Sequence, residues 1–154
     1  MLNIKNLQEN IILAPYTTYK IGGPAKYFVV VKNKKELVSA VINARQNNIP
    51  YFVLGLGANT LIGDKGFNGL VIKNESNSLK LDKNILIAES GATISELIDI
   101  TKEESLSGLE HFSGIPSTVG GAIWQNLHFL TPDRKQTYYI ESIIDSVEIL
   151  NLDG

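Results

Sequence analysis

The chain has 154 residues, 44% of them hydrophobic and 19% charged, which is enough for a packed core and far from the polar, charge-rich composition of disordered chains. Fourteen Lys and Arg against sixteen Asp and Glu leave a formal net charge of −2, so the basic field of nucleic-acid binders and polybasic membrane anchors is missing, and no stretch approaches the roughly 20 apolar residues of a membrane span. With no cysteine and only His111 and His128, disulfides, thiolate metal sites and cysteine nucleophiles are excluded within the chain; no metal site is expected, and an anionic ligand must be held locally.

The first residues, Met1-Leu2-Asn3-Ile4-Lys5-Asn6, carry polar groups too often for a signal segment, so a cytoplasmic address is expected. After a mixed polar and apolar opening, Lys26-Tyr27-Phe28-Val29-Val30-Val31 is β-branched and aromatic and reads as a buried strand behind Gly22-Gly23-Pro24. Asn33 stands three residues before Glu36 in an approximate capping box. Leu37, Val38, Val41 and Ala44 then recur at helical spacing, predicting an amphipathic helix to about Asn47. Asn48-Ile49-Pro50 breaks it, and Tyr51-Phe52-Val53-Leu54 is a second strand, completing a βαβ unit.

Glycines and polar residues from Gly63 to Gly69 punctuate the next segment before a strand at Leu70-Val71-Ile72. A second α-and-β unit is expected from near Ser76, with a strand at Ile85-Leu86-Ile87-Ala88. Thr93 and Glu96 form a capping box for a helix that presents Ile94, Leu97, Ile98 and Thr101 on one face. Beyond it come a glycine-rich connection around Phe112, an alternating strand at Ser146-Val147-Glu148-Ile149-Leu150 and a turn at Asp153-Gly154.

Two loops carry the chemistry. Gly55-Leu56-Gly57-Ala58-Asn59-Thr60-Leu61 ends an apolar strand, and successive N–H groups in such a turn form an anion-binding nest that needs no Lys or Arg. A diphosphate suits it. It is no Walker A loop, lacking the Gly-Lys-Ser/Thr ending, and no Rossmann fingerprint, because Thr60 stands where the third glycine belongs. The second loop runs Ile115-Pro116-Ser117-Thr118-Val119-Gly120-Gly121-Ala122 and continues to Asn126; Pro116 fixes one end, Gly120-Gly121 removes side chains, and Ser117 and Thr118 can cap the segment after them. Either loop alone is also read as an ordinary turn. Two in one domain suggest one extended ligand. Thr17-Thr18-Tyr19-Lys20-Ile21-Gly22-Gly23-Pro24 reads as a turn before a strand. His111 reads as a satisfied, half-buried histidine, the segment around His128 as a solvated loop, Glu103-Glu104 as solvated charge, and Trp124 as a core or interface anchor within reach of a ligand ring.

The order of these motifs, Thr18-x-x-Ile21-Gly22-Gly23-Pro24-Ala25, Gly55-x-Gly57-Ala58-Asn59-x-Leu61, Gly66-Phe67-x-Gly69-Leu70-Val71-Ile72, Gly91-Ala92, Gly108-Leu109-Glu110 and Gly114-Ile115-Pro116-x-Thr118-Val119-Gly120-Gly121-Ala122, resembles that of the UDP-N-acetylenolpyruvoylglucosamine reductases, also called UDP-N-acetylmuramate dehydrogenases. The resemblance implies an α+β FAD-binding domain of the vanillyl-alcohol-oxidase type, two α/β subdomains with the flavin between them. Residues 1–75 would form the first subdomain and 76–154 the second, incomplete, with no substrate-binding domain. It implies that Gly55, Gly57, Ala58, Asn59, Thr60 and Leu61 hold the FAD diphosphate. Ile115, Pro116, Ser117, Thr118, Gly120, Gly121, Ala122 and Asn126 would line the ribityl and pyrophosphate region.

The family activity is NADPH-dependent reduction of the enolpyruvyl UDP-sugar to UDP-N-acetylmuramate for peptidoglycan, with FAD carrying the hydride. The family more often has Ser at Ala58 and Asn at Thr17, and a short Ala-Gly-Ala-Tyr-Gly stretch where this chain reads Leu127-His128-Phe129-Leu130. Its catalytic arginine, serine and glutamate come after a strand of the Ser146–Leu150 kind, so they are expected beyond Gly154 and no catalytic residue is assigned. Another flavoprotein of this fold, or a nucleotide-binding module without catalysis, remains open beside this reading.

Overall fold

A computed structural model describes residues 2–151. The chain divides into two compact units, the first running to Ser76 and the second starting at Asn77.

The first unit is a four-stranded sheet with one helix. β1 (Gln8–Ile12), β2 (Pro24–Val31), β3 (Tyr51–Leu54) and β4 (Phe67–Asn74) lie in the order β1-β2-β4-β3. β1 is antiparallel to β2, while β2 and β3 both run parallel to β4. The strand-helix-strand unit is therefore split, with β4 inserted between its two strands. Alternation along β2 sends Phe28 to one face and Val29 and Val31 to the other, all buried, as expected for a strand covered on both sides. On the Phe28 side the core is Leu13, Ala25, Phe28, Leu54 and Val71.

α1 (Lys34–Gln46) packs on β2 and β4 through its buried Ala40, Val41 and Ala44. The Asn33 side chain caps it, accepting from the Glu36 N–H at 3.0 Å, whereas the Glu36 carboxylate reaches past the cap to the Lys32 N–H at 2.8 Å. The glycine pair before β2 has a packing reason. A Cβ at Gly23 would lie 2.0 Å from the Asp64 carbonyl oxygen, and one at Gly66 would lie 1.9 Å from that of Pro24, so two backbone segments meet where no side chain fits. The Gly23 N–H donates to the Gly63 carbonyl at 3.0 Å across this junction.

The second unit holds a hairpin of β5 (Leu79–Asp82) and β6 (Ile85–Ala88), then α2 (Ile94–Glu103), α3 (Val119–Trp124), and a hairpin of β7 (His128–Leu130) and β8 (Thr137–Tyr139). Its core gathers Ala92, Ile94, Leu97, Leu109, Phe112, Ala122, Leu127 and Ile140. The capping box of α2 is complete: the Glu96 N–H donates to Thr93 Oγ1 at 3.1 Å, and the Thr93 N–H returns to the Glu96 carboxylate at 2.7 Å.

Several expectations need correction. The opening contains β1, whose outward Gln8, Glu9 and Asn10 hide the strand pattern of an exposed edge. The segment around His128 is β7 rather than a solvated loop, because Phe129 turns inward to the core while His128 and Leu130 face out. Trp124 is no core anchor: 92% of it is exposed at the end of α3. The segment Ser146–Leu150 joins no strand ladder among the described residues; alternation supplies a face for a sheet, and a strand also needs a partner edge. The turn read at Asp153-Gly154 lies outside the described residues. No helix among the described residues is long and apolar enough to cross a membrane.

Candidate functional site

The loop from Gly55 to Leu61 leaves the end of β3 without opening a helix. The segment read only as a turn before β2 holds it in place. The Thr18 N–H donates to the Gly57 carbonyl at 3.1 Å, and a Cβ at Gly57, whose φ is +70°, would lie 2.3 Å from the Tyr16 carbonyl oxygen. Gly57 is thus required both by its left-handed backbone and by the chain against it. Buried Thr17 fixes that bracing segment by donating its hydroxyl to the Ile21 carbonyl at 2.9 Å. Held from below in this way, the loop spends little of its own backbone. The amides of Leu56, Gly57, Ala58, Thr60 and Leu61 donate to no backbone acceptor among the described residues. Unspent N–H donors at a glycine turn are the donor set an anionic diphosphate requires.

Sequence reasoning missed one charged neighbour. The Lys73 ammonium, on β4 opposite Leu54, donates to the Gly55 carbonyl at 2.6 Å. Burial pulls its pKa below the usual lysine range, against the pull of Glu75 and with that of Lys32. The available signal was a lysine directly after the apolar run Leu70-Val71-Ile72 in a strand flanked on both sides.

The second loop is built the other way. Thr118 caps α3, its hydroxyl accepting from the Gly121 N–H at 3.2 Å, and it forms an antiparallel bridge with Thr93. The Val119 N–H donates to Ala92 and that of Gly120 to Ser90, both at 2.8 Å, while the Ile94 N–H returns to Ser117 at 2.9 Å. A Cβ at Gly120 would lie 3.1 Å from the Ser90 side chain and carbonyl oxygen, so this glycine serves close packing. The amides of Ile115 and Ala122 are spent too, on Phe112 and Thr118. Ser117 and Thr118 are buried, and Pro116 and Gly121 are exposed.

Asn126 lies just beyond α3 with a left-handed φ of +47°; its side-chain N–H donates to Glu141 at 2.7 Å, and its buried Oδ1 has no partner among the described residues. An orphaned acceptor of this kind is an invitation to a donor from outside the chain. His111, half-buried as read from the sequence, stacks on Tyr138 with ring centroids 3.6 Å apart.

Beyond the loops, the Glu110 carboxylate ties the turn before this region, accepting from the Ser107 hydroxyl at 2.6 Å and from the Gly108 N–H. Those bonds hold its pKa down at about 2.

The sequence family described as "FAD binding domain" matches residues 25–154. The chain belongs to this FAD-binding family. It is 38% identical over 148 residues to the UDP-N-acetylenolpyruvoylglucosamine reductase of Clostridium novyi, covering 95% of this chain and 48% of that protein. To the reductase of the same name from Protochlamydia amoebophila it is 46% identical over 120 residues, covering 77% of this chain and 40% of the relative. The crystal structure of UDP-N-acetylenolpyruvylglucosamine reductase from Thermus caldophilus superposes with a TM-score of 0.61 at 34% identity, over 76% of this chain and 41% of that one.

The chain therefore spans about half the length of the curated relatives it matches. The reductase resemblance drawn from the motifs is the one these relatives carry, and the α+β FAD-binding fold expected from it is the fold found.

Proposed function

We propose that this FAD-binding-family chain holds the FAD diphosphate on the backbone of Gly55, Gly57, Ala58, Asn59, Thr60 and Leu61. The observation that carries this is the set of unspent amides on that braced loop, in a chain of the FAD-binding family. A diphosphate brings acceptor oxygens and negative charge, and fixed backbone N–H groups meet both without the reorganisation a flexible side chain requires.

The second loop takes a different part in this reading. With the amides of Ile115, Gly120, Gly121 and Ala122 committed to the fold and those of Ser117 and Thr118 donating to no backbone acceptor among the described residues, Ile115, Pro116, Ser117, Thr118, Gly120, Gly121 and Ala122 supply mainly shape, and the Asn126 Oδ1, unpaired among the described residues, accepts from a hydroxyl or N–H of the cofactor. Residues 1–75 and 76–154 act as the two FAD-binding subdomains. Bound FAD supplies hydride transfer, and the protein supplies position and electrostatics.

The parent activity we infer is NADPH-dependent reduction of UDP-N-acetylenolpyruvoylglucosamine to UDP-N-acetylmuramate in peptidoglycan synthesis, in the cytoplasm, with a UDP-sugar as the small-molecule partner and neither nucleic acid nor membrane involved. The relatives at 38% and 46% identity support it. Titrating the 154-residue chain with FAD while following flavin fluorescence tests the cofactor reading: saturable binding is expected, and a flat titration overturns it.

A further inference from the structure

The backbone loop leaves Lys73 unexplained. An ammonium has three N–H donors, and one of those of Lys73 is given to the Gly55 carbonyl. Glu75, just past the end of β4, is paired with Lys32 and attracts Lys73 from a distance, and no carboxylate among the described residues forms an ion pair with Lys73. Lys73 also lines a cavity of about 190 Å³ with Tyr16, Thr17, Thr18, Lys20 and Leu56. Lys20 enters from a left-handed turn, φ +56°, with its ammonium 3.4 Å from the Pro15 carbonyl oxygen that accepts from it. The cavity therefore has two cations in its lining and no acid, in a chain whose net charge is −2. A half-buried ammonium costs desolvation, and the lowered pKa of Lys73 reflects that cost; an anion in the cavity would offset it.

We propose that Lys73, seconded by Lys20, forms a cation-lined phosphoryl subsite beside the glycine loop, in which Lys73 anchors the Gly55 carbonyl with one N–H and gives the others to the phosphate oxygens of the bound dinucleotide. The proposal rests on the FAD reading above. A compact ammonium suits this place as a point charge, complementing the directional backbone donors of the loop. A bracing role alone would hold Gly55 and leave the charge idle.

The test compares the full 154-residue chain with Lys73→Gln, Lys73→Arg and Lys20→Gln, measuring FAD affinity by flavin fluorescence from low to high salt and inorganic diphosphate by thermal shift. Lys73→Gln is expected to weaken FAD binding roughly tenfold to hundredfold at low salt, with the gap closing as salt rises. Lys73→Arg restores most of it, and Lys20→Gln gives a smaller loss of the same salt-dependent form. Should Lys73→Gln fail to fold, Lys20→Gln carries the test, since FAD affinity unchanged in it, or lowered equally at every salt concentration, overturns the subsite.

FAD affinity unchanged in Lys73→Gln, or lowered equally at every salt concentration, overturns the subsite and leaves the FAD reading standing. A wild-type chain that ignores FAD yet is stabilised by diphosphate through Lys73 overturns the FAD reading and keeps the subsite. A wild-type chain that responds to neither overturns both.

Discussion

In the 55–61 loop the amides of Leu56, Gly57, Ala58, Thr60 and Leu61 donate to no backbone acceptor among the described residues, whereas in the 115–122 loop those of Ile115, Val119, Gly120, Gly121 and Ala122 are committed within the fold and only those of Ser117 and Thr118 donate to no backbone acceptor among the described residues. Both loops carry paired or near-paired glycines, and the glycines do different work. Gly57 admits the bracing Tyr16–Thr18 backbone from behind, which frees the loop's donors for something else. Gly120 admits Ser90, and its own N–H is consumed by that contact. In the first loop a second segment supports the turn and leaves donors over, whereas in the second the glycine contact itself consumes a donor.

Substitutions can break this contrast. Gly57→Ala has the largest expected effect: its Cβ would sit 2.3 Å from a backbone oxygen at a left-handed φ, so a loss of about 2 to 4 kcal/mol in urea denaturation is expected, with FAD binding abolished. A loss well under 1 kcal/mol would mean the brace yields freely. Thr118→Ala removes the α3 cap and is expected to cost about 1 kcal/mol by the same measurement, as is Thr93→Ala at α2. Gly120→Ala faces contacts at 3.1 Å, one with a side-chain atom, and the helical preference of alanine offsets part of the crowding. Its stability should stay within about 1 kcal/mol of the parent.

The smallest effect is electrostatic. The folded pKa of Glu110, about 2, lies below its ordinary 4.5, so its bonds to Ser107 and Gly108 contribute fully above pH 4.5 and are lost as pH falls toward 2. A carboxyl ¹³C titration should find the low value in the parent and a clear rise in Ser107→Ala. An unchanged pKa in that variant would remove the hydroxyl as the main cause.

Much of this was readable from residues because the signals were local. Asn33 and Thr93 announced their helices, and β-branched runs announced β2 and β4. The candidate loop was also legible, as a glycine turn on a strand end. What decides its character was not, since the brace from Tyr16 to Thr18 comes from a turn, and the ammonium of Lys73 from a neighbouring strand, both distant in sequence. The failed strand at Ser146–Leu150 marks the same limit from the other side, because alternation is a property of one segment and a ladder needs two. The core half of the Trp124 reading failed for a related reason: a large aromatic suits a core, while its position at the end of α3 leaves it 92% exposed.

Residue-resolved amide hydrogen exchange, run with and without FAD, tests the central contrast most directly. Without FAD, the amides of Leu56, Gly57, Ala58, Thr60 and Leu61 are expected to exchange quickly, and those of Val119, Gly120 and Ala122 slowly. With FAD, protection should appear across the first set and change little in the second. Protection gained at Val119 to Ala122 while the first loop stays unprotected would contradict the account.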